Sequence, residues 1–280
     1  MSACIGYLGP SGTFTELACD QYLKHSGSNL SPKAYPSIPA LFEGLKQGEC
    51  QEIIAPIENT IEGSVSSVMD ALIQSEHIIR GEWVCDIQQC LLAKGSIAYE
   101  QISDIYSHPQ PIAQSRHFIH ERLPQATIHY TSSSADAVTK LDDASNPNTA
   151  AVIGSQRLSE IYGLSILEEN IQDLENNQTR FLIVASEGVP ASKNDRTSIV
   201  CSAHKNQPGS LHRLLGVFEK AGLNLTQVLS RPSKLELGEY IFFLEFLGHQ
   251  DDPPVHAVLQ EIKDMCLYYK YLGSYPIFSD

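Results

Sequence analysis

The stretch Glu52–Ile73, EIIAPIENTIEGSVSSVMDALI, decides how the chain folds. Glu52–Pro56 is a short β-like run. Val65, Val68, Met69, Leu72 and Ile73 then follow the i, i+3, i+4, i+7, i+8 rule of a helix with one buried stripe. A strand feeding a helix through a polar turn is the unit of a parallel sheet flanked by helices, with ligand sites at the carboxyl ends of the strands. The alternation extends both ways. Strands are expected at Cys4–Leu8, Ile78–Asp86, Gln89–Ala93, Ile105–Ser107, Thr127–Thr131, Ala150–Ile153 and Phe181–Ala185. Upstream, Gly9-Pro10-Ser11-Gly12 is a turn, and Thr13-Phe14-Thr15-Glu16 reads as a capping box opening another helix.

Downstream the pattern breaks at Ser186–Asp195 (SEGVPASKND), a small, polar, proline-containing linker. A different order follows: strand Thr197–His204, helix Ser210–Ala221, strand Asn224–Leu229, strand Tyr240–Leu247, helix Pro254–Cys266 and a last strand near Tyr268–Leu272. This is the ferredoxin-like βαββαβ unit. Two helices on one side leave the other sheet face and its edges uncovered, so pairing with another copy is expected.

Composition sets the outer bounds. With 280 residues, 42% hydrophobic and 19% charged, the chain suits a soluble globular protein of two domains. The net charge of −14 argues against nucleic acid or an anionic membrane as partner. No apolar run approaches a membrane span, and the richest, Tyr240–Leu247, contains Glu245. The N-terminus reads as a strand from its start and not as a leader, so a cytoplasmic address is expected. Seven cysteines, none in a Cys-x-x-Cys, read as buried reduced thiols.

Four polar clusters sit where strands of the first part begin or end. The Gly9–Thr13 turn can present backbone N–H groups to an anion, or be an ordinary βα turn. In Pro56–Ser64, Asn59 and Thr60 can donate to a carboxylate beside a helix N-terminus. Glu58 and Glu62 there are a base pair or solvated loop acids. In Ser107-His108-Pro109-Gln110, His108 is a candidate acid or base, or a turn cap. His117 and His120 are better read as a solvated helix face than as metal ligands. The fourth cluster, Asn170–Phe181, places the Thr179 hydroxyl and the Arg180 cation at a strand entrance.

Taken in order, these clusters resemble the prephenate dehydratase family. The matching pieces are Gly-Pro-Ser-Gly-Thr at 9–13, Pro-Ile-Glu-Asn-Thr at 56–60, Ser-His-Pro-Gln at 107–110 and Thr-Ser-Ser-Ser-Ala-Asp-Ala at 131–137. Ala-Val-Ile-Gly-Ser at 151–155 and Asn177-x-Thr179-Arg180-Phe181 complete the set. The second part is similar to an ACT regulatory domain through Pro208-Gly209-Ser210-Leu211 and Ser230-Arg231-Pro232.

The resemblance implies an α/β catalytic domain at 1–185 with two lobes of the periplasmic-binding-protein kind. Lobe 1 would be about 1–76 and 171–185 and lobe 2 about 77–170, followed by the linker at 186–195 and an ACT domain at 196–280. It implies conversion of prephenate to phenylpyruvate on the route to phenylalanine, with no cofactor and no metal. Thr179 would donate to the departing hydroxyl, and Arg180 would pair with a carboxylate. Asn59, Thr60, Ser107, His108, Thr131, Ser132, Ser133, Asn177 and Phe181 would form the rest of the substrate shell. An arogenate dehydratase and a non-catalytic ACT-linked sensor share the scaffold. Phenylalanine would bind as effector at Pro208, Gly209, Ser210, Leu211, Asn224, Leu225, Leu229, Ser230, Arg231 and Pro232, within a homodimer or tetramer. Family members carry glutamate where Leu229 stands, so weakened effector binding is expected.

Overall fold

A computed structural model describes residues 3–203, 208–232 and 240–279. The chain opens with β1 (Cys4–Leu8), α1 (Phe14–Ser26), β2 (Ser31–Tyr35), α2 (Ile38–Lys46), β3 (Glu52–Asn59), β4 (Gly63–Ser64), α3 (Ser66–Gln74) and β5 (Ile78–Asp86). It continues with β6 (Cys90–Ala93), β7 (Asp104–Ser107), α4 (Pro109–Gln114), α5 (Arg116–Arg122) and β8 (Thr127–Tyr130). Then come α6 (Ser134–Asp142), β9 (Ala150–Gly154), α7 (Arg157–Tyr162), β10 (Ser165–Glu168) and β11 (Gln178–Ala185). The last part is β12 (Asp195–Ala203), α8 (Ser210–Ala221), β13 (Leu225–Pro232), β14 (Tyr240–Leu247), α9 (Pro253–Met265) and β15 (Cys266–Ser279). The His204 end of the expected strand lies outside the described residues.

The first lobe is built on β5-β11-β3-β1-β2 and the second on a separate sheet ordered β10-β6-β9-β7-β8, a two-lobed periplasmic-binding-protein-like arrangement. Because β5 belongs to the first sheet, the chain crosses between Asp86 and Cys90, later than residue 77. It returns after Glu168 through a loop that ends at Gln178. Helix α1 covers one face of the first sheet, burying Ile5, Tyr7, Cys19, Trp83 and Phe181; α2 and α3 cover the other with Leu41, Leu45, Val68, Met69 and Leu72. Thr13 Oγ1 accepts from Glu16 N at 3.4 Å, but the Glu16 carboxylate does not close a capping box. It takes Gly12 N at 2.6 Å and the Tyr7 hydroxyl at 3.1 Å.

The third unit is βαββαβ with strand order β13-β14-β12-β15, and α8 and α9 bury Leu214, Phe218, Val258 and Ile262 on one face. Its other face is not left open. Val200, Ile241, Phe243, Leu272 and Tyr275 join the core of the first lobe with Ile79 and Leu72, so that lobe itself supplies the cover. The far half of β15 runs on to pair with β5 in parallel, Ile277 opposite Glu82, and the two sheets become one. Gly273 lets β15 make that approach. Its φ of +143° suits glycine, and a Cβ there would lie 2.1 Å from the Ile79 carbonyl oxygen. Among the described residues, β13 forms an edge of this sheet with no further strand beside it.

Candidate active site

Between the lobes lies a cavity of about 540 Å³. Strand β11 reaches it from the floor. The ladder makes Thr179 and Arg180 part of the strand, paired with β3 on one side and β5 on the other. Side chains alternate along a strand, so Thr179 and Phe181 line the cavity while Arg180 points to the opposite face. There the guanidinium meets Glu245 at 2.9 Å and Glu82, Glu58 and Gln227 at 3.2 Å each. Arg180 is therefore no substrate counter-ion. Burial alone would lower its pKa, but Glu245, Tyr275 and Glu82 around it drive it up and keep the cation. Glu58 is spent on the same arginine, so it forms no acid pair with Glu62, which does line the cavity.

Thr179 is 9% exposed, and Asn59 Nδ2 donates to its Oγ1 at 2.9 Å. The orientation of that amide is determined by backbone donors, because Asn59 Oδ1 accepts from Ile61 N at 2.9 Å and Glu62 N at 3.1 Å. Polarity then propagates. Asn59 Nδ2 also donates to Asn177 Oδ1 at 2.9 Å, and Asn177 Nδ2 donates to Gln114 Oε1 at 3.0 Å. Gln89 Nε2 donates to the same oxygen at 3.0 Å. Among the described residues, Gln114 Nε2 and Gln89 Oε1 are a buried donor and a buried acceptor without a protein partner, on residues that line the cavity. Such groups are costly unless something else satisfies them. Sequence reasoning missed both glutamines, since a lone Gln carries no spacing signal.

The other expected substrate residues divide. His108, Ser132 and Ser133 line the cavity. His108 caps α4, its Nδ1 accepting from Gln110 N at 3.3 Å, and Ser133 Oγ caps α6 from Asp136 N at 3.0 Å. Asn177 stands behind the wall, holding Asn59. Ser107 is fully buried and donates to Ile153 O at 2.7 Å, Thr131 Oγ1 donates to Ser133 O at 3.0 Å, and Thr60 clasps Asn176 O at 2.9 Å. None of these three lines the cavity.

The cavity's charge balance is unusual for an anion site. Among its described lining residues there is no Lys or Arg, and Glu62 is the one carboxylate. Instead the N-termini of α1, α3 and α6 converge on it, through Thr13–Thr15, Ser64–Val65 and Ser132–Ser134; α4 also starts here, but Pro109 and Pro111 have no N–H and Gln110 N is taken by His108 Nδ1. First-turn N–H groups have no intrahelical partner and carry the positive end of the helix dipole. The lobes are latched beside it. Ser155 Oγ donates to Gly12 O at 2.9 Å, and Arg157 pairs with Asp20 at 2.8 Å. Gly12 is required there, with φ +87° and Leu158 packed where its Cβ would be.

Within the third unit the expected effector residues do not share one surface. Gly209–Leu211 opens α8, and Asn224 and Leu225 follow its far end, 12 residues or about 18 Å away. Ser230 and Pro232 are exposed on the β13 edge, whereas Leu229 and Arg231 turn toward the catalytic lobe.

Comparison with known proteins gives a consistent result. The family model for prephenate dehydratase matches residues 5–189, and that for the ACT domain matches residues 197–264. A bifunctional chorismate mutase/prephenate dehydratase of Pseudomonas aeruginosa is 37% identical over 97% of this chain and 73% of its own length. A prephenate dehydratase of Methanocaldococcus jannaschii is 34% identical over 99% and 100%. The crystal structure of prephenate dehydratase from Arthrobacter aurescens, in complex with L-Phe, superposes with a TM-score of 0.88. It is 30% identical and covers 98% of this chain and 90% of that one.

Proposed function

The chain belongs to the prephenate dehydratase family, hydro-lyases, and carries an ACT domain; from that premise we propose how the cavity works. Prephenate would bind as a dianion, its two carboxylates taken by the converging helix N-termini instead of by a side-chain cation. The carboxylate leaves as carbon dioxide, its bonding electrons enter the ring, and the C–O bond breaks as hydroxide departs. Aromatisation drives the step, so the protein has to hold the dianion and help hydroxide leave.

Thr179 gives that help, and one observation carries the assignment. Asn59 Nδ2 can only donate, so Thr179 Oγ1 accepts, and the threonine proton is left to point at the leaving oxygen. A hydrogen bond that strengthens as negative charge develops lowers the barrier more than it lowers the ground state. Gln114 Nε2 adds a second buried donor from the other lobe.

Phenylalanine would act through the ACT domain, as suggested by the Arthrobacter aurescens protein, which was solved with L-Phe. The separation of Gly209–Leu211 from Asn224–Leu225 within one chain fits an effector seated between two chains paired along the exposed β13 edge. No helix among the described residues is long and apolar enough to cross a membrane, in keeping with a cytoplasmic address. The direct test is purified protein with prephenate, followed by phenylpyruvate release, with arogenate in parallel. Turnover of prephenate supports the reading. Turnover of arogenate alone replaces the substrate, and tight binding without turnover makes the chain a sensor.

A further inference from the structure

We propose that Glu245 and Gln227, on the ACT sheet, are positioning residues for Thr179: by holding the Arg180 guanidinium they fix the stretch of β11 that presents the catalytic hydroxyl. The inference rests on the reading of Thr179 above. Three observations carry it.

Arg180 follows Thr179 directly, and its side chain, 11% exposed, leaves the opposite face of the strand. The ladder to β5 is continuous here, but the ladder to β3 shifts register. Arg180 pairs with Glu58 and Phe181 with Pro56, so Ile57 is an extra residue on β3, and Pro56 has no N–H to donate. Beside such a bulge one ladder holds the strand less firmly, and side-chain contacts add to where it sits. Those contacts come from four other strands: Glu58 on β3, Glu82 on β5, Gln227 on β13 and Glu245 on β14.

The cluster is also balanced as a unit. Arg196 shares both inner carboxylates, meeting Glu82 at 2.9 Å and Glu245 at 3.4 Å, so two half-buried arginines face two buried glutamates, with Glu58 at the rim. Ser198 Oγ donates to Glu245 Oε1 at 3.3 Å and pairs with the Tyr275 hydroxyl at 2.6 Å, which orients the carboxylate from behind. Losing Glu245 removes the shortest contact of Arg180 and leaves both arginines sharing Glu82, so the guanidinium shifts toward Glu82 and Glu58. That motion is transmitted to the adjacent residue, where a shift of about 1 Å can cost up to roughly a hundredfold in rate.

The test uses the full chain. Glu245→Gln keeps the shape and removes the charge; it should lower kcat about three- to tenfold while KM for prephenate stays within about twofold, the signature of a lost transition-state contact. Arg180→Met should fall in the same way, and the double variant should be no worse than the poorer single one, since both act on one contact. Should Glu245→Gln fail to fold, Gln227→Met, which removes a single hydrogen bond, replaces it and should lower kcat about twofold, an effect absent in the Arg180→Met background. A folded Glu245→Gln with unchanged kcat, a rise in KM alone, or additive effects with Arg180→Met would overturn the inference. Thr179→Ala separates the two readings. If that variant is inactive while Glu245→Gln is normal, the inference alone fails; if it turns over normally, the assignment of Thr179 fails first.

Discussion

A threonine hydroxyl has a single proton to donate, and at Thr179 it is not spent on Asn59, whose Nδ2 is itself the donor to Oγ1. The consequence is a strong dependence on the hydroxyl and a weak one on the methyl. Thr179→Ala should lower kcat by about 10²–10⁴, the usual scale for a positioned proton donor, whereas Thr179→Ser should keep most of the activity. Steady-state assays of the two variants decide it, and near-normal turnover by the alanine variant would end the assignment. The acid–base alternative is His108, whose Nδ1 accepts from Gln110 N and so leaves Nε2 as the donor of a neutral ring. A hydroxyl does not titrate near neutrality, so kcat/KM should be nearly flat from about pH 6 to 8. A limb within that range that His108→Asn removes would transfer the role. At this scale the sequence motifs mark Asn59, His108, Ser132, Ser133, Thr179 and Phe181, all of which line the cavity. They also mark Thr60, Ser107, Thr131 and Asn177, which do not line it, and they mislead most at Arg180. A cation beside an anion-binding motif invites a substrate role, but the two-residue period of a strand turns it away once β11 is seen to begin at Gln178.

Besides the β15–β5 ladder, the two domains are joined through α3. Its N-terminal side forms the Gly63–Val65 wall of the cavity, and its C-terminal carbonyls are held by an ACT residue. Lys270 Nζ on β15 donates to Leu72 O at 2.9 Å, to Ile73 O at 2.7 Å and to Ser75 O. A cation at a helix C-terminus satisfies orphan carbonyls and opposes the dipole. Lys270→Met keeps the length of the side chain but none of its donors, so it should cost roughly 1–3 kcal/mol in urea unfolding and raise KM a few-fold as the wall loosens. Unchanged stability would mean that water replaces the lysine. Elements were legible where hydrophobic period and caps agree: β5, β14 and α8 have the expected bounds. They were not where tertiary pairing overrides local preference. β2 (SPKAY) is an exposed edge strand containing a proline, and β10 (SILE) is a short edge, so neither shows a buried alternation. The polar Gln178-Thr179-Arg180 reads as loop but is held between β3 and β5.

For the whole molecule, the fusion of the ACT sheet with the catalytic sheet changes what position 229 can do. A leucine where the family carries glutamate suggests a missing effector contact, and from sequence alone Leu229→Glu should tighten phenylalanine binding. The structure puts Leu229 on the face of β13 that looks at the catalytic lobe, opposite Phe243 and packed against the shared core with Val200 and Ile241. A carboxylate there would be half-buried among apolar side chains. Its nearest charge partner on the same face is Arg231, which is engaged with Asp70 of α3 at 3.4 Å. Competing for that arginine would loosen the grip on the helix that walls the cavity. We therefore expect Leu229→Glu to lose about 1–3 kcal/mol of stability, the scale of burying a poorly paired polar group, with no gain in phenylalanine affinity. Calorimetric titration with L-Phe, run beside a urea melt, checks both halves. Tighter binding at unchanged stability would return position 229 to the effector site. Lower stability with unaltered affinity would make it part of the seam between the domains, where a leucine suits the packing better than the family's acid.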